Sequence, residues 1–224
     1  MTAGSPSRRR SAGLLVAIVI VGVAARLTVA AQGWFYWDDL ILHAQARDYT
    51  TPHPELLLRP HDGHLMPGAW LLLWLWATFA PLNWPVTLGL LGVLQVVAAA
   101  AVAWASWRLC PRWAALPTGL YLLTPLTLAS TTWWATAVNI LPLHASVAVV
   151  LAHALLAVRE PGRRRAHLVV ATVALLVGLV FTERALARLT AENPKRAADL
   201  HMQVARLISG RVLHLMAAVD ALER

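Results

Sequence analysis

The chain has 224 residues, 58% of them hydrophobic and 13% charged, with a net charge of +8. Its mean hydropathy of +0.59 and its low charge set it apart from soluble domains, where about 25% of residues are charged. One cysteine, Cys110, excludes an intrachain disulfide framework and a cysteine-based metal cluster. The positive charge does not point to nucleic acid. It is grouped as Arg8-Arg9-Arg10, Arg108 with Arg112, and Arg159 with Arg163-Arg164-Arg165, beside long apolar runs, and such groups set membrane topology before they bind ligands. There is no Gly-rich phosphate loop and no soluble basic face. The composition therefore predicts an all-α, polytopic helical membrane protein.

In chain order, residues 1–10 read as a Ser/Arg-rich cytoplasmic tail without fixed structure, residues 11–182 as the transmembrane domain, and residues 183–224 as an amphipathic helical tail. The first span runs from Ser11 to about Gln32. Its start also resembles a signal peptide, with Val29-Ala30-Ala31 as a small-residue cleavage site. Arg26 and the further spans downstream argue for an uncleaved helix. Either way the next loop lies outside. Arg26, near the end of this span, either snorkels to the interface or faces an anionic lipid phosphate beside Asp38 and Asp39. Twelve residues separate Arg26 from Asp38, about 18 Å on a continuous helix, so the second reading needs the chain to turn back after Gln32-Gly33.

Residues 33–66 form a polar external loop opened by Trp34-Phe35-Tyr36-Trp37-Asp38-Asp39. Trp and Tyr favour the membrane–water boundary because an apolar ring carries a polar tip. Five of the chain's 11 acids (Asp38, Asp39, Asp48, Glu55 and Asp62) fall in this loop, and none lies between Asp62 and Glu160. Asp38 or Asp39 is placed to N-cap a short helix from Leu40 to about Asp48, which explains one of the two acids. His61-Asp62-Gly63-His64 carries metal-ligand side chains, but its spacing is loose. No metal ligand is assigned, and a divalent cation stays open.

Leu65–Leu82 is apolar and holds Trp70, Trp74 and Trp76. Read as a non-spanning juxtamembrane helix, it leaves nine basic residues on cytoplasmic segments (Arg8–Arg10, Arg108, Arg112, Arg159, Arg163–Arg165) against two outside (Arg47, Arg59). As a span, it reverses the bias to three against eight. A six-span chain with its N-terminus outside would give eight against three but export the triple Arg. Five spans are expected, at about 11–32, 85–107, 114–130, 138–158 and 166–182, with kinks at Pro117, Pro125 and Pro142. Thr131-Thr132-Trp133-Trp134 with Asn139 makes a second external segment expected to face the first loop. All 11 Trp lie at or before position 134. The tail, opened by Asn193-Pro194, carries an apolar stripe through Leu200, Val204, Leu207 and Ile208.

Ala25-Arg26-Leu27, then Trp37-Asp38-Asp39, then His64-Leu65-Met66-Pro67 opening an apolar helix resembles the GT-C membrane glycosyltransferases. The likeness is to bacterial members related to protein mannosyltransferases and lipid A sugar transferases. Asp39 stands where that family usually has Glu, and Leu65-Met66 separates His64 from Pro67. The resemblance covers roughly residues 12–184 by layout and corresponds to the front part of such enzymes, which carry more spans. It implies a multi-pass protein of the bacterial plasma membrane that transfers a sugar from a polyprenyl-phosphate donor. Asp38 would be the general base and Asp39 a metal or acceptor ligand, with Arg26, Arg59 or His64 holding the donor phosphate. The other expectation is a non-catalytic membrane protein that assembles with a partner membrane subunit. A transporter is the third and weakest reading, since few ionisable residues lie within spans.

Overall fold

A computed structural model describes residues 6–182; the amphipathic helix expected over 183–224 lies outside the described residues. Residues 6–59 and 66–182 belong to one compact body, and residues 60–65 to a second unit. The body is helical: α1 (Pro6–Ala31), α2 (Asp38–Arg47), α3 (Pro54–Leu57), α4 (Pro67–Phe79), α5 (Trp84–Leu109), α6 (Ala115–Leu123), α7 (Leu128–Thr132), α8 (Trp134–Arg159) and α9 (Arg164–Phe181). The second unit's described part is a hairpin of β1 (Pro60–His61) and β2 (His64–Leu65), paired antiparallel with His61 opposite His64. Asp62 and Gly63 form its two-residue turn, both with positive φ (47° and 73°), as a tight hairpin of this hand requires.

Among the described residues, four helical segments are long and apolar enough to cross a membrane: Arg10–Ala31, Trp84–Leu109, Trp134–Arg159 and Pro161–Phe181. The helix α1 begins at Pro6, so the triple Arg expected in an irregular tail lies within helix; Pro fits the first helical position, where its missing N–H costs nothing. With 13 residues, α4 is about 20 Å long, short of the roughly 30 Å hydrocarbon core. Its indoles are anchored instead. Trp70 donates to the Arg59 carbonyl at 2.8 Å, Trp74 to the Tyr49 carbonyl at 3.0 Å, and Trp76 to Thr87 Oγ1 at 2.9 Å. The first two bonds fix the first loop over α4, and the third ties α4 to the start of α5.

The expected third span, 114–130, is not one helix. At one end of the bundle Trp76 bonds the first turn of α5 and lies 5.6 Å from the ring of Trp134, which begins α8. At the other end Arg159 of α8 donates to the carbonyl of Leu109, the last residue of α5, at 2.9 Å. Helices α5 and α8 therefore run parallel, packed on small residues (Ala105, Ala148, Ala152). The chain between them must return the length of the bundle, and it does so as α6, a 3-10 turn at Pro125–Thr127, and α7. Pro125 causes the break. It has no N–H for the Tyr121 carbonyl and holds Thr124 extended (φ −67°, ψ 132°). The N–H of Leu126, which would otherwise serve the Leu122 carbonyl, goes to Thr124 Oγ1 at 3.3 Å. By contrast, α8 continues through Pro142.

Two carbonyls are thus left without helical donors inside an apolar bundle. Arg26 supplies them. Its Nε donates to Leu122 O at 3.0 Å, and its Nη2 donates to Tyr121 O and, at 2.9 Å, to Thr127 Oγ1. The guanidinium lies 5.0 Å from the Tyr121 ring centre, a cation–π arrangement. The side chain is only 2% exposed. One turn earlier on the same face of α1, Gly22 makes this approach fit: a Cβ there would lie 2.7 Å from Leu122 Cβ. Replacing Arg26 with Met should cost about 2–4 kcal/mol, because buried carbonyls lose charge-assisted bonds. Arg26→Lys, lacking the planar fork, should recover only part. Unfolding midpoints in detergent measure both, and an unchanged midpoint for Arg26→Met would contradict this capping role.

Candidate active site in the first loop

The aromatic run at the start of the loop alternates in direction. Trp34, Tyr36 and Trp37 are 64%, 67% and 67% exposed, whereas Phe35 is 8% exposed. The Phe35 ring sits 5.5 Å from Trp76 and 5.0 Å from Trp84. One buried ring pins the segment to α4 and α5, and three exposed rings form a rim, as expected of groups at an apolar–aqueous boundary.

The two adjacent acids have different surroundings. Neither is the N-cap expected from the sequence: α2 starts at Asp38, and its cap is Trp37, at φ 37° with no side-chain capping bond. Both acids lie in the first turn of α2, where the helix dipole favours negative charge. Asp39 is fully buried. Its Oδ2 accepts from Tyr36 N at 2.9 Å and its Oδ1 from Ala135 N at 2.7 Å. The first bond reaches back like the distal half of a capping box. The second satisfies a free N–H in the first turn of α8. Asp39 therefore clips the first loop to the segment at Trp133–Trp134, where Tyr36 and Trp133 also meet with ring centres 5.9 Å apart. Burial raises the Asp39 carboxyl above its ordinary value of 3.8, against the lowering by these two backbone N–H groups.

Asp38 is half-buried, and its carboxylate makes no hydrogen bond or ion pair with any other described residue. It is the free carboxylate of the pair. The Arg59 guanidinium is likewise uncommitted among the described residues, although its backbone carbonyl holds Trp70. Arg26, expected either to snorkel to the interface or to face a lipid phosphate beside the two acids, instead gives its bonds to Leu122, Tyr121 and Thr127 and none to Asp38 or Asp39. His64 lies in β2 of the hairpin unit, across from His61, and His61 Nε2 is 4.0 Å from Asp62 Oδ2.

Two features of this region had no distinct signal in the sequence. His43 on α2 is buried with its ring 5.2 Å from Trp76, and its Nε2 is without a partner. Burial first, and Arg47 second, lower its proton affinity. Helical spacing four residues beyond Asp39 would have placed it on the inward face. The Ala135 backbone N–H could not be read from any side chain.

A raised carboxyl is protonated in the folded chain at pH values where the unfolded chain has lost its proton. Asp39 therefore contributes stability at low pH that is lost as pH rises from about 3.8 through its folded value. Asp39→Asn should flatten this part of the stability–pH curve. It should also cost about 1–2 kcal/mol, since the amide oxygen can accept from only one of the two N–H groups and the NH2 is set against the other. Unfolding midpoints across pH 3 to 7 (roughly the carboxylate range) check both effects.

No protein-family model, curated protein or solved structure matches this chain.

Proposed function

We propose that this protein takes part in glycosyl transfer at the external face of a bacterial plasma membrane, using a polyprenyl-phosphate sugar as donor and Asp38 as general base. The observation that carries the reading is the uncommitted Asp38 carboxylate beside the fully committed Asp39, behind a rim of exposed Trp and Tyr. An ionised carboxylate at the boundary can take the proton of an acceptor hydroxyl as its oxygen bonds to the anomeric carbon. The bond from that carbon to the phosphate oxygen breaks, and polyprenyl phosphate leaves with the electron pair. The configuration inverts because attack and departure are on opposite faces. Asp39 acts through position: it fixes the turn that presents Asp38. With Arg26 engaged in the bundle, Arg59 becomes the better candidate for the donor phosphate, and His64 stays a candidate from the sequence resemblance.

A second reading is that of an assembly partner for another membrane subunit. It draws on the exposed stripe Val93, Val96 and Val97 along α5, at the spacing of one helix face, which could seat a further helix as well as lipid. Purified chain that transfers sugar unaided would favour the first reading over the second.

In membranes supplied with polyprenyl-phosphate sugar, Asp38→Asn should lower transfer by roughly 100-fold or more and leave the unfolding midpoint near wild type. Full transfer by Asp38→Asn would remove Asp38 as base. The orientation has its own check. In a Cys110→Ser background, a cysteine at Thr51 should react with an impermeant thiol reagent in intact cells, and one at Arg163 only after permeabilisation. The reverse pattern would invert the proposed topology.

A further inference from the structure

At the Arg-rich end of the bundle, away from the first loop, the helices α8 and α9 meet through two histidines. His153 Nδ1 and His167 Nδ1 are 2.9 Å apart. His167 is 8% exposed, and its Nε2 lies 3.3 Å from Glu160 Oε2. Glu160 Oε1 is 3.8 Å from Arg108 Nη2 on α5. His153 is stacked on Trp104 of α5, ring centres 5.3 Å apart with 29° between the planes. The chain of contacts thus joins α5, α8, the turn at Glu160 and α9.

Two imidazole nitrogens at 2.9 Å form a hydrogen bond only if one carries a proton and the other a lone pair. With Glu160 accepting from His167 Nε2–H, two protonation states keep the contact. In the neutral pair, His153 Nδ1–H donates to His167 Nδ1. In the singly charged pair, His167 donates from both nitrogens. A second added proton puts N–H against N–H and charge against charge, and the contact cannot persist.

We propose that His153 and His167 form a pH-sensitive latch between α8 and α9, closed while one proton lies between their Nδ1 atoms and opened when both rings are doubly protonated. Among the described residues, Glu160 touches His167 and Arg108 on α5 reaches Glu160, while Arg159 ends α8, Arg163 lies in the turn, and Arg164 and Arg165 begin α9. Glu160 is the one acid among them. The far part of α9 is held by Gly178, where a Cβ would lie 3.0 Å from Ser146 Cβ. Release of the histidine contact therefore lets α9 shift about that close approach.

Spin labels on cysteines replacing Leu151 and Val173, both exposed, report the α8–α9 separation in the full chain with Cys110→Ser, reconstituted in nanodiscs with chelator present. Between about pH 7.5 and about pH 5, either side of the ordinary histidine value of about 6.5, the separation should change on the order of 2 Å, the scale of helix shifts. His153→Gln and His167→Gln, made separately, should each abolish the change. An unchanged separation in the wild-type pair overturns the latch, as does a change that survives in either Gln variant. A change that needs added Zn²⁺ in place of acid also overturns it and marks the pair as metal ligands instead.

Discussion

The Arg26 guanidinium against the carbonyls of Tyr121 and Leu122 is the contact on which the bundle's connectivity depends. In an apolar surround a backbone carbonyl without a donor costs free energy that packing alone does not return. Pro125 creates one such carbonyl by lacking an N–H, and a second follows when Leu126 bonds to Thr124. A break there is tolerable only because the first helix brings a forked donor to the place. Gly22 allows α1 and α6 to close, Arg26 fills the gap, and Thr127 takes a further bond of the same guanidinium. With that segment returning the length of the bundle, α5 and α8 can run parallel and present their first turns at the same end.

That shared end is where the first loop is built. The start of α5 receives Trp76, and the first turn of α8 offers a backbone N–H that Asp39 takes. The loop is therefore held from three sides: by indoles of α4 on its carbonyls, by Phe35 in the core, and by Asp39 on α8. A carboxylate so placed is a structural tie rather than a reagent. The carboxylate of its neighbour Asp38 is one residue away and unbonded among the described residues, and adjacency on the same helical turn is what lets one acid position the other.

Much of this architecture is legible in the sequence. Length and apolarity gave the spanning helices because membrane thickness sets a length that sequence alone reports. The interface run at Trp34–Asp39 and the facing segment at Thr131–Trp134 were legible from aromatic placement. The broken return segment was not. Pro117 and Pro125 signalled kinks, but Pro117 falls in the first turn of α6, where it is tolerated, and the consequence of Pro125 depends on a donor about 100 positions away in sequence. Arg26 was misplaced for the same reason, since carbonyl partners leave no mark on side-chain identity. The cap assigned to Asp38 or Asp39 failed because the better donor for Asp39 came from α8, a long-range bond that outweighs the local rule.

The division of labour proposed for the two acids is read out by carbodiimide footprinting of the reconstituted chain. A water-soluble carbodiimide with an amine trap, followed by mass spectrometry, reports the modification of each carboxyl separately. Asp38 should be modified while Asp39, buried and bonded at both oxygens, is protected until the chain unfolds. Modification of Asp39 as fast as Asp38, or protection of Asp38 in the folded chain, would contradict it.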